Sequence, residues 1–411
     1  MEPLVSPASS PQVRFNPLSL AFKRDPYSTY GALQQRLPFK TMGMWVVTRH
    51  EDVSLILKDR RFSASLIPNL VKKQLDSHKL ACPEIVRLGE KSIVFTDNPD
   101  HGRLRQLTHA AFSRKTVEAL RPSIRSTIAE LLTPAISAGE IEFVETVAEP
   151  LPLRIIRKWM GLGEQDETPI KHWTHLVRVF LEPGFITADR YVELHQVLLD
   201  YMAFFRRHIE QVRQHPNEHL ISLLTHNEHK GDRLTDEELI FVCIMCYVAG
   251  VETTTSLLSN AVLLFARHPE QFELLKAHPE LLANAVNEVL RFESPLQMTK
   301  RVATENTTIA GIDIRTGEQI LLCLGGANRD NAAFSSALEF NITRENSSRH
   351  VGFGHGIHAC LGAFMAQLQA EEFLSILISS GKRPQLLDET LNWSNHSLIL
   401  RGLCQLHVRF E

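Results

Sequence analysis

Fourteen residues near the C-terminus, Val351 to Phe364 (VGFGHGIHACLGAF), concentrate the side chains best able to do chemistry. They hold two histidines (His355, His358), one cysteine (Cys360) and four glycines (Gly352, Gly354, Gly356, Gly362). As zinc ligands, the two imidazoles and the thiolate would leave a fourth position open, as catalytic zinc sites do. The H-x-x-H-x-C spacing is tight for that, and no matching fourth ligand stands out. A single cysteine in a glycine-rich loop running into a helix suits thiolate ligation of a haem iron better. Glycines let backbone pass close to a flat macrocycle. Amide N–H groups at the start of the helix beginning near Leu361 would bond the sulfur and favour its anion.

A second concentration lies inside an apolar run. Thr235 followed by Glu238 has the spacing of a capping box. The residues after it predict one helix from Thr235 to about His268, apolar almost all round and therefore buried. In its middle stands AGVETTT, Ala249 to Thr255. Gly250 costs about 1 kcal/mol relative to alanine there. Glu252 sets a carboxylate on an apolar helix, which is costly unless paired. Thr253, Thr254 and Thr255 are β-branched and can bond back to the preceding turn, bending the helix. Three disfavoured choices in succession point to a functional site, with a satisfied helix kink as the alternative. Cys243 and Cys246 share a redox or zinc spacing, but no second pair matches it, and both read as ordinary buried thiols.

The elements that must position these residues are mostly helical. Apolar residues recur at three- and four-residue spacing in RLRQLTHAAF, TVEALRPSIRSTIAELLTPAI, YVELHQVLLDYMAFFRRHI and ELLANAVNEVLRF. Strand-like pieces are short: GMWVVTRH near the start, then TTIAGIDI, EQILLCL and LILRGLCQLHVRF. Strands divided between the two ends pair only if the chain returns on itself. The expectation is a mainly α fold with small β-sheets, a flexible leader over residues 1–15 and one domain over 16–411. With 411 residues, 44% hydrophobic and 22% charged, the chain has the composition of a soluble globular protein. The net charge of −3 gives no reason to expect a nucleic-acid partner. No run of eighteen apolar residues predicts a membrane span, and the N-terminus does not read as a signal peptide. Six scattered cysteines fit a reducing cytoplasm better than a disulfide framework.

FGHGIHACLG, Phe353 to Gly362, resembles the haem-binding signature of the cytochromes P450, F-G-x-G-x-H-x-C-x-G, at every fixed position. Three further segments agree in order. AGVETT resembles the family's oxygen-activation motif, and EVLR, Glu288 to Arg291, its Glu-x-x-Arg pair. DNPDHGRLRQLTHAAFSRK, Asp97 to Lys115, resembles the segment that contacts the haem propionates in soluble bacterial members. The resemblance runs from about Asp97 to Leu406, and DRRFSAS, Asp59 to Ser65, extends it weakly. It implies the P450 fold, with a long central helix crossing over haem b.

The resemblance also implies roles. Cys360 would be the iron ligand, its thiolate favouring O–O cleavage, with Phe353 packed beside it and Gly362 among the residues that bind the cofactor. His101, Arg105, Arg301 and His358 would hold the propionates by charge-assisted hydrogen bonds. His355 falls at a variable position and is read as a loop residue. Ala249 and Gly250 would leave a groove on the oxygen side, and Glu252 and Thr253 would form the acid–alcohol pair that moves protons there. Glu288, Arg291 and Arg344 would form a buried ion network behind the cysteine loop. Asn331 stands where the family segment ANRDP has proline, and Gln367 where arginine is frequent.

The implied activity is hydroxylation or epoxidation of a mainly hydrophobic small molecule, a polyketide, terpenoid or lipid. Electrons would come from NAD(P)H through a ferredoxin or flavodoxin docked on the Cys360 side of a monomer, with Arg103, Arg114 and Lys115 as candidate contacts. Pocket walls would come from a loop near 64–95, helices near 168–210, the central helix and two C-terminal turns. Ile67, Met245, Val248, Ala249, Leu296 and Ile399 are the candidates, all apolar. Two rivals stand beside this reading, a peroxide-driven P450 and a haem-binding sensor or recruitment protein without turnover.

Overall fold

The long central helix organises the fold. In the computed structural model, which describes residues 15–394 and 397–411, this helix spans Asp236–Arg267. Its capping box closes at Thr235: the Thr235 hydroxyl accepts from the Glu238 N–H (3.3 Å), and the Glu238 carboxylate accepts from the Thr235 N–H (2.9 Å). Asp236, Glu237 and Glu238 in the first turn complement the positive helix end. Most of its side chains are buried, and it packs on the helices Pro150–Met160, Ala188–Gln214, Leu282–Phe292 and Ala363–Ser379. Among the described residues it alone is long and apolar enough to cross a membrane, and 67% of its most apolar window is buried within the protein.

Among the described residues, twelve short strands form the sheets: β1 (Phe39–Thr41), β2 (Met44–Val47), β3 (Phe62–Ser63), β4 (Glu140–Glu142), β5 (Met298–Ala303), β6 (Thr307–Ile309), β7 (Ile312–Ile314), β8 (Gln319–Cys323), β9 (Pro384–Leu386), β10 (Asn392–Trp393), β11 (Leu403–Gln405) and β12 (His407–Phe410). The largest sheet has the order β1-β2-β8-β5-β3. In it β2 lies parallel to β8, Met44 opposite Gln319, so the N-terminal strands are held by the last quarter of the chain. A second sheet, β4-β12-β9, pairs antiparallel throughout. The β6–β7 hairpin turns through Ala310 and Gly311, both at positive φ, the conformation a two-residue hairpin turn demands.

Two boundaries differ from expectation. Residues 1–14 of the expected leader lie outside the described residues, but Phe15 is core. It is 7% exposed and stacks edge-on against Phe22 and Phe39. The segment near 64–95, expected as a loop, contains two helices, Leu66–His78 and Pro83–Lys91. Val71, Leu75, Ile85 and Leu88 bury their faces at helical spacing, which polar residues such as Lys72, Lys73 and Glu84 disguise in the linear sequence.

Candidate functional site

The cysteine loop is built by its own backbone. Gly354 N–H donates to Val351 O (2.9 Å), Ala359 N–H to Gly356 O (3.1 Å) and Cys360 N–H to Phe353 O (2.8 Å). Gly356 has φ +71°, and a Cβ there would lie 2.6 Å from Leu57 O and 3.0 Å from Lys58 Cα. That glycine lets the loop pass against the end of the helix His50–Lys58, so its reason is not the macrocycle expected from the sequence. Gly362 differs: nothing lies within 4 Å of its would-be Cβ.

Gly362 caps the helix Ala363–Ser379, and its N–H bonds the Cys360 sulfur. Burial pushes the Cys360 thiol up, while the Gly362 N–H and the nearby Arg105 pull it down. Cys360 is exposed at its side chain although protein lies around it. His355 and His358 do not join it as a three-ligand set: no cluster of three or more metal-ligating side chains occurs among the described residues.

Four basic side chains gather beside the loop. The His101 and His358 rings lie 4.3 Å apart, centroid to centroid. Arg105 Nη1 donates to Ala359 O (2.6 Å), and Arg301 Nη1 donates to Lys300 O (2.8 Å). Asp97 is the carboxylate facing them, but its Oδ1 is 3.7 Å from His358 Nε2, too long for a hydrogen bond, and that buried nitrogen has no partner. Burial lowers all four: His101, Arg105, Arg301 to about 10 and His358 to about 4, with Arg301 and His101 further lowering His358. A desolvated, self-repelling basic cluster beside a thiolate-forming cysteine fits the two propionates and the iron of a haem.

On the central helix Ala249 is exposed among buried neighbours, and Thr253, one turn on, is half-buried. The Thr253 hydroxyl donates back to Ala249 O (2.7 Å). Glu252 turns the other way, its Oε1 2.6 Å from Arg178 Nε. Acid and alcohol therefore do not bond each other. Burial raises the Glu252 carboxyl, Arg178 lowers it, and Glu182 and Glu149 raise it again. Sequence reading missed Arg178, which lies in the short turn Arg178–Leu181. A signal existed, since this arginine interrupts the apolar run LVRVFL. Gly250 faces the helix Pro150–Met160: its would-be Cβ would lie 2.9 Å from Ile156 Cδ1, the flexible tip of that side chain.

Behind the loop, Glu288 and Arg291 are fully buried and Arg344 nearly so. Arg291 bonds both Glu288 oxygens (2.7 and 2.8 Å), and Arg344 Nε reaches Glu288 Oε1 (3.2 Å). Asn331 Oδ1 accepts from the Ala337 N–H (3.1 Å), and Gln367 bonds Asn287 (3.1 Å). The pocket candidates scatter. Met245 and Val248 are buried in the main core, and Ile67 packs against it. Leu296 bridges Leu400. Ile399 instead packs on the N-terminal cluster of Phe15, Phe22, Tyr30 and Met298, because neighbours along an extended chain face opposite ways. Arg103 is also not free for docking: it pairs with Asp232 (3.3 Å) and with Glu238 of the capping box.

Fold and site together define a helical haem-thiolate protein. Comparison with known proteins agrees. The family model for cytochrome P450 matches residues 162–278 and 276–380. The biotin-biosynthesis cytochrome P450 of Bacillus subtilis is 35% identical over 401 residues, covering 96% of this chain and 98% of that protein. Mycinamicin IV hydroxylase/epoxidase of Micromonospora griseorubida is 33% identical over 391 residues, covering 92% and 94%. The crystal structure of P450BioI in complex with hexadec-9Z-enoic acid ligated acyl carrier protein superposes with a TM-score of 0.85 at 33% identity, covering 95% of this chain and 99% of the other. The chain belongs to the cytochrome P450 family. Its activity is that of a P450 monooxygenase.

Proposed function

We propose that this monooxygenase hydroxylates or epoxidises an apolar natural product or lipid, drawing electrons from NAD(P)H through a ferredoxin or flavodoxin. Haem, when bound, supplies reductive activation of dioxygen and transfer of one oxygen atom to carbon. The residues around it do the rest. Cys360 is the ligand. His101, Arg105, Arg301 and His358 hold the propionates, and the Thr253 hydroxyl, by leaving Ala249 O, turns toward the oxygen side. The observation that carries this reading is the 2.6 Å contact of Glu252 with Arg178. It sets a cation against the burial that raises the Glu252 carboxyl and holds that carboxyl one residue from the hydroxyl, which supports dioxygen chemistry over the peroxide-driven and non-catalytic rivals.

Arg114 and Lys115 begin a short helix, Arg114–Glu118, that packs on the cysteine helix Ala363–Ser379. Arg114 lies 5.0 Å over the Phe364 ring, which supports an acidic redox partner docking on this side. The names of the relatives, in biotin and mycinamicin metabolism, support natural-product or lipid substrates. A cytoplasmic monomer completes the reading.

Reconstitution with a ferredoxin, its reductase and NADPH tests it. Product should form with the wild type and vanish in Cys360→Ala. Thr253→Ala and Arg178→Met should keep consuming NADPH while losing product. Equal product from peroxide alone, unchanged in Thr253→Ala, would establish the peroxide-driven rival instead.

A further inference from the structure

The chain leaves the largest sheet at β3, runs through the helices Leu66–His78 and Pro83–Lys91, and comes back beside β3 at Asp97. Asp97 closes this excursion at its base. Its Oδ1 accepts from the Ala64 N–H (3.2 Å) and its Oδ2 from the Ser63 hydroxyl. Ser63 is buried, and its oxygen accepts from the Ser65 hydroxyl (2.7 Å) and the Ser65 N–H (3.0 Å), where the helix Leu66–His78 starts. The single Ser63 hydroxyl proton is therefore committed to Asp97.

The same residue faces the basic cluster beside the cysteine loop. The Asp97 carbonyl accepts from the His101 N–H (2.9 Å). Ser63 pairs with Val302 across β3 and β5, next to Arg301. The Asp97 charge acts on His101, Arg301 and His358. Its side chain nevertheless stands 3.7 Å from His358 Nε2 and directs its hydrogen bonds at Ser63 and Ala64. It offsets the repulsion within the cluster and leaves the buried His358 Nε2 without a hydrogen bond.

The excursion also seats the turn that carries Arg178. Phe180, in that turn, packs edge-on against Phe95, with ring centroids 5.7 Å apart. It also lies over Gly89 of the helix Pro83–Lys91, whose would-be Cβ would be 3.1 Å from Phe180 Cζ. Phe180 is two residues from Arg178, the partner of Glu252.

We propose that Asp97 is a positioning residue: it locks the base of the 63–97 excursion against the basic cluster, so that the seating of the haem and the placement of Phe180 and Arg178 are set together. This rests on the haem-thiolate site described above.

Two variants divide the clasp from the charge. Ser63→Ala removes the hydroxyl and keeps the carboxylate. Asp97→Asn removes the charge, and its NH2 must face either the Ser63 hydroxyl or the Ala64 N–H, donor against donor. Hydrogen exchange of the haem-loaded protein, read by mass spectrometry, should be at least about tenfold faster in both variants, as expected for a lost hydrogen bond to a charged group. The rise should fall on the helices Leu66–His78 and Pro83–Lys91 and on the turn Arg178–Leu181, and spare the central helix. The haem reduction potential, read by spectroelectrochemical titration, should move to more positive values in Asp97→Asn alone, since a nearby anion favours the ferric state. Unchanged exchange in these elements, or a rise shared equally by the central helix, would overturn the clasp. An unchanged potential in Asp97→Asn, or an equal shift in Ser63→Ala, would overturn the place of its charge beside the haem. Should Asp97→Asn fail to take up haem, Asp97→Ser, smaller and equally uncharged, takes its place, and Ser63→Ala still decides the clasp. The ferrous carbonyl spectrum of the wild type separates the two levels: a missing thiolate-type band refutes the haem-thiolate site, while a normal band with unchanged exchange refutes only the clasp.

Discussion

Replacing Glu288 by glutamine should cost the protein a large part of its stability, although the change alters only one polar atom. Glu288 Oε2 accepts from Arg291 Nε, while Oε1 accepts from Arg291 Nη2, Arg344 Nε and the Asn341 N–H. Glutamine can keep the second set only by turning its NH2 onto the Arg291 Nε–H, donor against donor. All five Arg291 N–H groups are committed, two to Glu288 and three to the carbonyls of Asn328, Ala337 and Glu339, so the guanidinium cannot turn away. Two buried cations then lose their counter-ion. Breaking a buried pair in this way costs about 3–5 kcal/mol, against a total stability of about 5–15 kcal/mol.

The damage should reach the cysteine loop by a traceable route. Arg291 holds the Asn328 carbonyl, and Asn328 Oδ1 accepts from the N–H of Val351, where that loop begins (2.7 Å). Urea unfolding followed by far-ultraviolet circular dichroism measures the stability, and the Soret absorbance per chain measures haem content. Both should fall in Glu288→Gln, haem content the more steeply. A cost under about 1 kcal/mol, the value of an exposed pair, with full haem loading would refute the reasoning.

Gly356→Ala should fail to load haem and lose stability, since its Cβ would strike Leu57 O, whereas Gly362→Ala should fold normally and disturb only the haem spectrum. Purified yields, melting curves and spectra of the two would distinguish them. Ile399→Ala should cost about 2 kcal/mol by thinning the N-terminal cluster and leave ligand affinity unchanged, while Leu400→Ala should weaken ligand binding. Glu318 offers a pH test. Hydrogen bonds from Lys40, Trp45 and the Arg315 N–H hold its carboxyl at about 2, below its ordinary 4.5. A depressed folded-state pKa adds stability above the ordinary value and loses it as pH falls through the lowered one. The stability difference between wild type and Glu318→Gln should therefore shrink from pH 4.5 to about 2. Urea midpoints read by far-ultraviolet circular dichroism would show it, and a difference independent of pH would count against the assignment.

What the sequence made legible was local. The Thr235 capping box, the cysteine loop and the helix that follows it depend on residues within a few positions of one another, and spacing alone announces them. The unread parts depend on distant segments meeting. A carboxylate on an apolar helix, as at Glu252, declares that it needs a partner, but only the fold brings Arg178 to it. Gly356 declares a tight approach, but the approaching surface is the backbone at Leu57 rather than a cofactor. Arg103 looked like spare surface charge because Asp232 and Glu238 lie far along the chain. Ile399 and Leu400 were indistinguishable by composition, since which of two adjacent apolar residues faces inward is set by the bridge from Leu296 to Leu400. Each miss has the same physical origin. A side chain's type states what it must have satisfied, by charge, hydrogen bond or close packing, while its partner is chosen by tertiary geometry.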